Sequence, residues 1–144
     1  MTHLARACAV LALTASAAFA EGQTHHVAIH VDQNDPAVMN MALNNAQNVS
    51  SYYAENGDTV VIEMVAYGPG LNMLIPDASP VAERISSMSL ELPNLTFAAC
   101  GNTLNAMQAK AGHDIALMSE AKVVPSGVVR LIELQEQGYA YVRP

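Results

Sequence analysis

The sequence predicts an α/β domain of three layers, α/β/α, with a mostly parallel five-stranded sheet between the helices. Three observations carry that expectation. Short β-rich runs alternate with segments of helical period from Val27 to Val142. The runs are apolar along their length, as strands covered on both faces are. Finally, the chain beyond its first twenty residues is the size of one domain, with 51% of all residues apolar and no internal repeat or linker.

Val27-Ala28-Ile29-His30-Val31 is the first β-rich run, and Asp32-Gln33-Asn34-Asp35 stops it. Asp35 as N-cap and Pro36 at the first helical position then open a helix to about Glu55. Val38, Ala42, Ala46 and Val49 recur along one face of it. Asn56-Gly57-Asp58 closes that helix, and Thr59 to Ala66 is a second strand of β-branched character. Tyr67-Gly68-Pro69-Gly70 breaks the pattern, and Leu71 to Ile75 reads as a short helical or irregular segment bounded by Pro76.

Ser79-Pro80 opens a further helix with Val81, Ile85 and Met88 on one face, and Pro93 ends it before a third strand begins at Leu95. Asn102 or Thr103 caps the next helix, which carries Leu104, Met107 and Ala111 and stops at Gly112. Val123-Val124 is a very short strand. Pro125-Ser126-Gly127 introduces a last helix with Val128, Leu131, Ile132 and Leu134, and Gly138 separates it from Tyr139 to Val142.

The amino terminus predicts export. Arg6, an apolar run from Ala7 to about Ala17, and Ala18-Phe19-Ala20 before Glu21 have the order of a cleavable secretory signal, so the domain is expected over 21–144 and the protein in the periplasm or secreted. The apolar run is shorter than a membrane span requires, and no later stretch is longer or free of charge. Cleavage removes Arg6 and leaves five basic residues against thirteen acidic ones, a net charge of about −8. Such a surface repels phosphate backbones. With no Trp, one remaining Phe and no basic run, nucleic-acid binding is not expected.

Cleavage also removes Cys8, leaving Cys100 as the one cysteine of a chain bound for an oxidising compartment. It is therefore buried and inert, paired between chains, or free and reactive. Cys100 stands where the third strand gives way to a helix, at the carboxyl edge of the sheet, where ligands and catalytic groups gather in open α/β folds. A helix amino terminus favours the thiolate, the nucleophilic form of sulfur. Backbone amides of Gly101 to Thr103, with the side chains of Asn102 and Thr103, are the expected hydrogen-bond donors. The loops at Asp32 to Asp35, Tyr67 to Gly70 and Pro125 to Gly127 share that edge.

Ala98-Ala99-Cys100-Gly101-Asn102-Thr103-Leu104, followed by Val123-Val124-Pro125-Ser126-Gly127-Val128-Val129-Arg130-Leu131-Ile132-Glu133-Leu134 and on to Pro144, resembles the DsrE/DsrF-like family of small sulfur-relay proteins. The resemblance extends over about residues 25 to 144 and is closest to an exported, uncharacterised branch. It implies that Cys100 accepts sulfane sulfur as a persulfide from a donor protein or small polysulfide and passes it to an acceptor, without a cofactor. It also implies trimers or hexamers. The well-studied relay systems are cytoplasmic with dedicated partners, whereas this chain carries an export signal. Two rivals to the relay are a binding or assembly module in which Cys100 serves packing, and a thiol-based redox sensor. A dithiol mechanism of the C-x-x-C kind is excluded by the single cysteine.

Other residue clusters point to structure. His26 and His30 share a strand face about 13 Å apart and His25 faces the other way, so no metal site is expected and surface or capping roles suit all three. His113 and Asp114 read as a solvated loop. Met39, Met41, Met64, Met73, Met88, Met107 and Met118 are scattered at core-like positions. Asp32 and Asp35 suit turns and caps, and Ser126 has no His/Asp constellation. Gly68-Pro69-Gly70 lacks the lysine of a phosphate loop, and Arg130, Glu133 and Glu136 read as a solvated helix face.

Overall fold

A computed structural model describes residues 22–144, and the expected leader, residues 1–20, lies outside the described residues. In chain order the elements are β1 (Thr24–Val31), α1 (Pro36–Glu55), β2 (Thr59–Ala66), a 3-10 helix (Gly68–Leu74), α2 (Ala82–Glu91), β3 (Leu95–Cys100), α3 (Gly101–Ala111), β4 (Ala121–Val124), α4 (Gly127–Glu136) and β5 (Ala140–Val142). The five strands form one sheet in the order β4-β3-β2-β1-β5, and all four pairings are parallel. This is a three-layer α/β/α domain.

That strand order decides which face each helix covers. From β1 through β4 the chain steps one strand at a time in a single direction, so right-handed crossovers put α1, α2 and α3 on one face. The connection from β4 to β5 runs back across the whole sheet, and the same handedness puts α4 on the other. Side chains alternate accordingly. Ile29, Val31, Ile62, Met64, Leu95 and Phe97 join Met39, Leu43, Leu71, Leu74 and Ile85 in the larger core. Ala28, Val65 and Ala98 form a smaller cluster with Leu131 and Leu134 of α4, flanked by the half-buried Tyr67, Val124 and Tyr139.

Local chemistry accounts for most boundaries. The Asp35 carboxylate accepts from Ala37 N at 2.7 Å as α1 opens with Pro36, a cap worth about 1 kcal/mol. Gly112 ends α3 in the left-handed region at φ 75°, where a residue with a Cβ is strained. α2 begins at Ala82, later than Ser79-Pro80 suggested: Ser79 Oγ accepts from Val81 N at 3.3 Å within a turn, and the first helical bond is Ile85 N to Val81 O at 2.9 Å. β1 begins at Thr24, three residues before Val27, and takes His25 and His26 into the sheet.

Two further expectations are corrected. Met41 is 49% exposed on α1 and outside the core, whereas Met39, Met64, Met73, Met88 and Met118 are buried. Arg130 is no free surface charge: its guanidinium grips Glu63 of β2 through two bonds of 2.6 and 2.7 Å. The pair bolts α4 to the middle of the sheet, and Glu63, 13% exposed, has its charge compensated there. No helix among the described residues is long and apolar enough to cross a membrane.

Candidate functional site

Cys100 is the last residue of β3 and the N-cap of α3. The cap is therefore the thiol itself, not Asn102 or Thr103: Sγ accepts from Thr103 N at 3.5 Å. Strand alternation turns Cys100, like Ala98, toward α4, and the amino terminus of α4 closes on it from the side. A Cβ added to Gly127 would stand 3.2 Å from Cys100 Cβ and 2.9 Å from both Cβ and Cδ1 of Tyr67. Only glycine fits that corner, and its amide is free to approach the sulfur. Two helix amino termini thus converge on one atom.

Cys100 is 5% exposed. Burial pushes the Cys100 thiol up, but the Thr103 hydroxyl and the amides of Gly127, Thr103 and Asn102 outweigh it, and the net direction is down. Thr103 is held for this task, since Oγ1 accepts from Gly68 N at 2.9 Å and keeps its own proton for the sulfur. Gly101 is buried where the chain turns from strand to helix, and Asn102 directs its backbone N–H to Pro125 O at 3.2 Å. All four residues expected at the site from the sequence are thus in one place. The Asn102 amide, bonded to Pro125 O, gives the sulfur the least of these contributions, and its side chain is exposed.

What sequence reasoning missed is the polar cluster beside them. His30, expected at the surface, is 5% exposed at the end of β1, on the face that α4 covers. Its ring stacks on Tyr67 with centroids 4.6 Å apart and planes at 22°. Nδ1 lies 2.7 Å from the Tyr141 hydroxyl of β5. Nε2 is buried without a hydrogen-bond partner among the described residues, and the nearest carboxylate oxygen, Asp32 Oδ2, is 3.8 Å away. Asp32 is engaged elsewhere, by Arg143 Nη2 at 2.9 and 3.1 Å.

Burial lowers the His30 pKa, with Asp32 opposing and Arg143 assisting, so the neutral ring is favoured. Burial also raises Tyr67, helped by the negative charge of Asp32 and by Tyr141 and Cys100, with Arg143 opposing. Tyr67 therefore keeps its proton and sits electrically between the thiol and the His30 cluster. An unpartnered buried nitrogen costs about 1–3 kcal/mol, so His30 is not the residue that packing alone favours. The other histidines differ. His25 Nε2 meets Asp58 Oδ2 at 2.9 Å and its ring stacks on Tyr53, and His26 leans on Tyr139. No three His, Cys, Asp or Glu side chains among the described residues converge as a metal site.

Fold and edge site together define a class: a small, all-parallel α/β domain with a capped cysteine at the carboxyl end of its third strand. No family model matches the sequence, and no curated protein matches it. Among solved structures, the chain is similar to MTH1491, a protein of unknown function from Methanobacterium thermoautotrophicum. The two are 32% identical with a TM-score of 0.70, over 83% of this chain and 99% of the other. The chain belongs to the same family as MTH1491.

Proposed function

We propose that the protein is an exported DsrE/DsrF-like sulfur carrier that binds or transfers sulfane sulfur as a Cys100 persulfide. The observation that carries this reading is the thiol at the meeting point of two helix amino termini, with its pKa lowered by hydrogen bonds despite burial. The same amides that favour a thiolate also favour a persulfide anion. Cys100 thiolate attacks the outer sulfur of a donor persulfide R–S–SH. The new Cys100 S–S bond forms as the donor S–S bond breaks, and R–S⁻ leaves with the electron pair. An acceptor thiolate then takes the outer sulfur by the same displacement and restores Cys100 thiolate. No net oxidant or reductant is consumed.

Mass spectrometry of the purified protein after polysulfide treatment tests this. Wild type gains at least one sulfur atom, removable by dithiothreitol, and Cys100→Ser gains none. A wild-type protein that takes up no sulfur, under conditions that load a known persulfide carrier, defeats the proposal. The burial of Cys100 favours a second reading, a cysteine kept for packing, and in that case alkylation of the folded protein is as slow as its global unfolding.

Self-association belongs to the same proposal. Val128, Val129 and Ile132 project from α4 at 52, 48 and 51% exposure, an apolar strip on the one helix that, among the described residues, covers its face of the sheet. A second copy of the chain is the proposed occupant. Light scattering on wild type then gives a trimer or hexamer, and Ile132→Asp gives the monomer; a monomeric wild type refutes it.

A further inference from the structure

We propose that Tyr67 is the gate over the Cys100 sulfur and that His30 is the positioning residue that holds the gate shut. The inference deepens the sulfur-carrier reading by naming what regulates access to its thiol. It starts from a conflict: a carrier must admit a donor to the sulfur, yet Cys100 is 5% exposed. Most of what surrounds the sulfur cannot swing aside. The amides of Asn102, Thr103 and Gly127 belong to helices, and the Thr103 hydroxyl is anchored on Gly68 N at 2.9 Å.

Tyr67 differs. It is a half-buried side chain at the junction of β2 and the 3-10 helix, and its Cβ and Cδ1 fill the corner beside Gly127 on which Cys100 Cβ also abuts. Rotation about χ1, which leaves Cβ in place, would swing the ring with its Cδ1 out of that corner without moving a helix. What opposes the rotation is the stack on His30, at 4.6 Å and 22°. His30 in turn is fixed by the 2.7 Å bond from Nδ1 to Tyr141.

The unpartnered Nε2 is the cost of that placement. A buried polar atom without a partner needs a reason beyond stability. Here the imidazole presents a flat face to Tyr67 and an edge to Tyr141 at once, and it leaves Nε2 as the remainder of that geometry. The groups facing His30 are Tyr67 from the end of β2, Tyr141 and Arg143 from the carboxyl terminus, and Asp32 from the loop after β1. Gate and latch thus come from three parts of the chain.

Alkylation of Cys100 by iodoacetamide and by a bulkier maleimide, followed across the neutral and alkaline range, tests the proposal apart from any sulfur chemistry. Rate follows thiolate fraction and access, so opening the gate raises the plateau rate, where the thiol is already ionised, and any change of midpoint is downward, because the sulfur loses part of the burial that pushes it up. Tyr67→Ala is expected to react about tenfold faster than wild type, with a larger factor for the maleimide, and Tyr67→Phe to stay within about twofold because the ring is retained. His30→Ala reacts faster than wild type, and His30→Phe, which restores a stacking ring, returns toward the wild-type rate.

The double variant His30→Ala/Tyr67→Ala matches Tyr67→Ala alone, since His30 acts through Tyr67. Unchanged rates in Tyr67→Ala, or effects of the two substitutions that simply add, overturn the gate. If His30→Ala does not fold, Tyr67→Ala and His30→Phe still decide. Sulfur uptake measured on the same proteins is a separate outcome: a wild type that never gains sulfur ends the carrier reading, while the alkylation rates still judge the gate.

Discussion

The two faces of the sheet are built on different principles. Beneath α1, α2 and α3 lie Ile29, Ile62, Met64 and Phe97, at most 1% exposed, packed on Leu43, Leu71, Leu74 and Ile85. Beneath α4 lie Ala28, Val65 and Ala98, and around them stand His30, the Glu63–Arg130 pair and Cys100. The first face is large and apolar, and it holds most of the buried hydrophobic side chains. The second is thin and polar, and it holds the thiol. One connection makes the difference: three crossovers cover one side and a single long return covers the other. The main core and the candidate site thereby lie on opposite sides of the same strands.

Neighbouring residues of β3 break or sharpen this contrast most directly. Phe97 and Ala98 are both buried, at 1% and 2%, but face opposite ways. Phe97→Ala empties part of the larger core and is expected to cost about 3–5 kcal/mol in urea unfolding, with the alkylation rate of folded Cys100 little changed. Ala98→Leu overfills the thin layer under α4 at a smaller cost of about 1–3 kcal/mol. Because Gly127 sits at the start of α4, pushing that helix outward shifts the Cys100 midpoint upward as the Gly127 amide withdraws. A large stability loss from Ala98→Leu with no effect on the thiol would contradict the division of labour.

Much of this plan was legible in the sequence. Apolar runs at Val27, Thr59 and Leu95, each followed by a turn and a helical period, require parallel strands with crossovers, and local rules placed Cys100 at the carboxyl edge of the sheet. Asp35-Pro36 and Gly112 marked helix ends by chemistry that acts within a few residues. The partners of His30 were not legible, because they depend on β5 returning beside β1: Tyr141 is 111 residues away. Without that pairing, a histidine at the end of a strand reads as a surface residue. The period-two spacing of His26, Ala28 and His30 did carry a signal, since it sets His30 on the face of Ala28, but not how that face is covered. Cys100 as its own helix cap was also hidden, because thiols are not among the usual N-cap residues.

The thin face should also be the acid-sensitive one, with the smallest of the expected effects. Burial lowers the His30 pKa below its ordinary 6.5, so the unfolded chain binds a proton that the folded chain refuses. Protons are then taken up on unfolding between the lowered value and 6.5, which means that the His30 contribution is complete above pH 6.5 and declines as pH falls through that window. The slope is at most about 1.4 kcal/mol per pH unit for one proton. Asp58 and Glu120, also lowered, by hydrogen bonds from His25 and Ser86, lose their contributions only below 3.8 and 4.5, so the two windows separate. Urea midpoints measured from neutral pH to about pH 5 are expected to fall in wild type and to stay nearly flat in His30→Phe, which has no ring nitrogen to charge. An equal fall in both proteins would assign the acid sensitivity to groups outside the cluster, and the thin face would lose its claim to be the responsive side of the sheet.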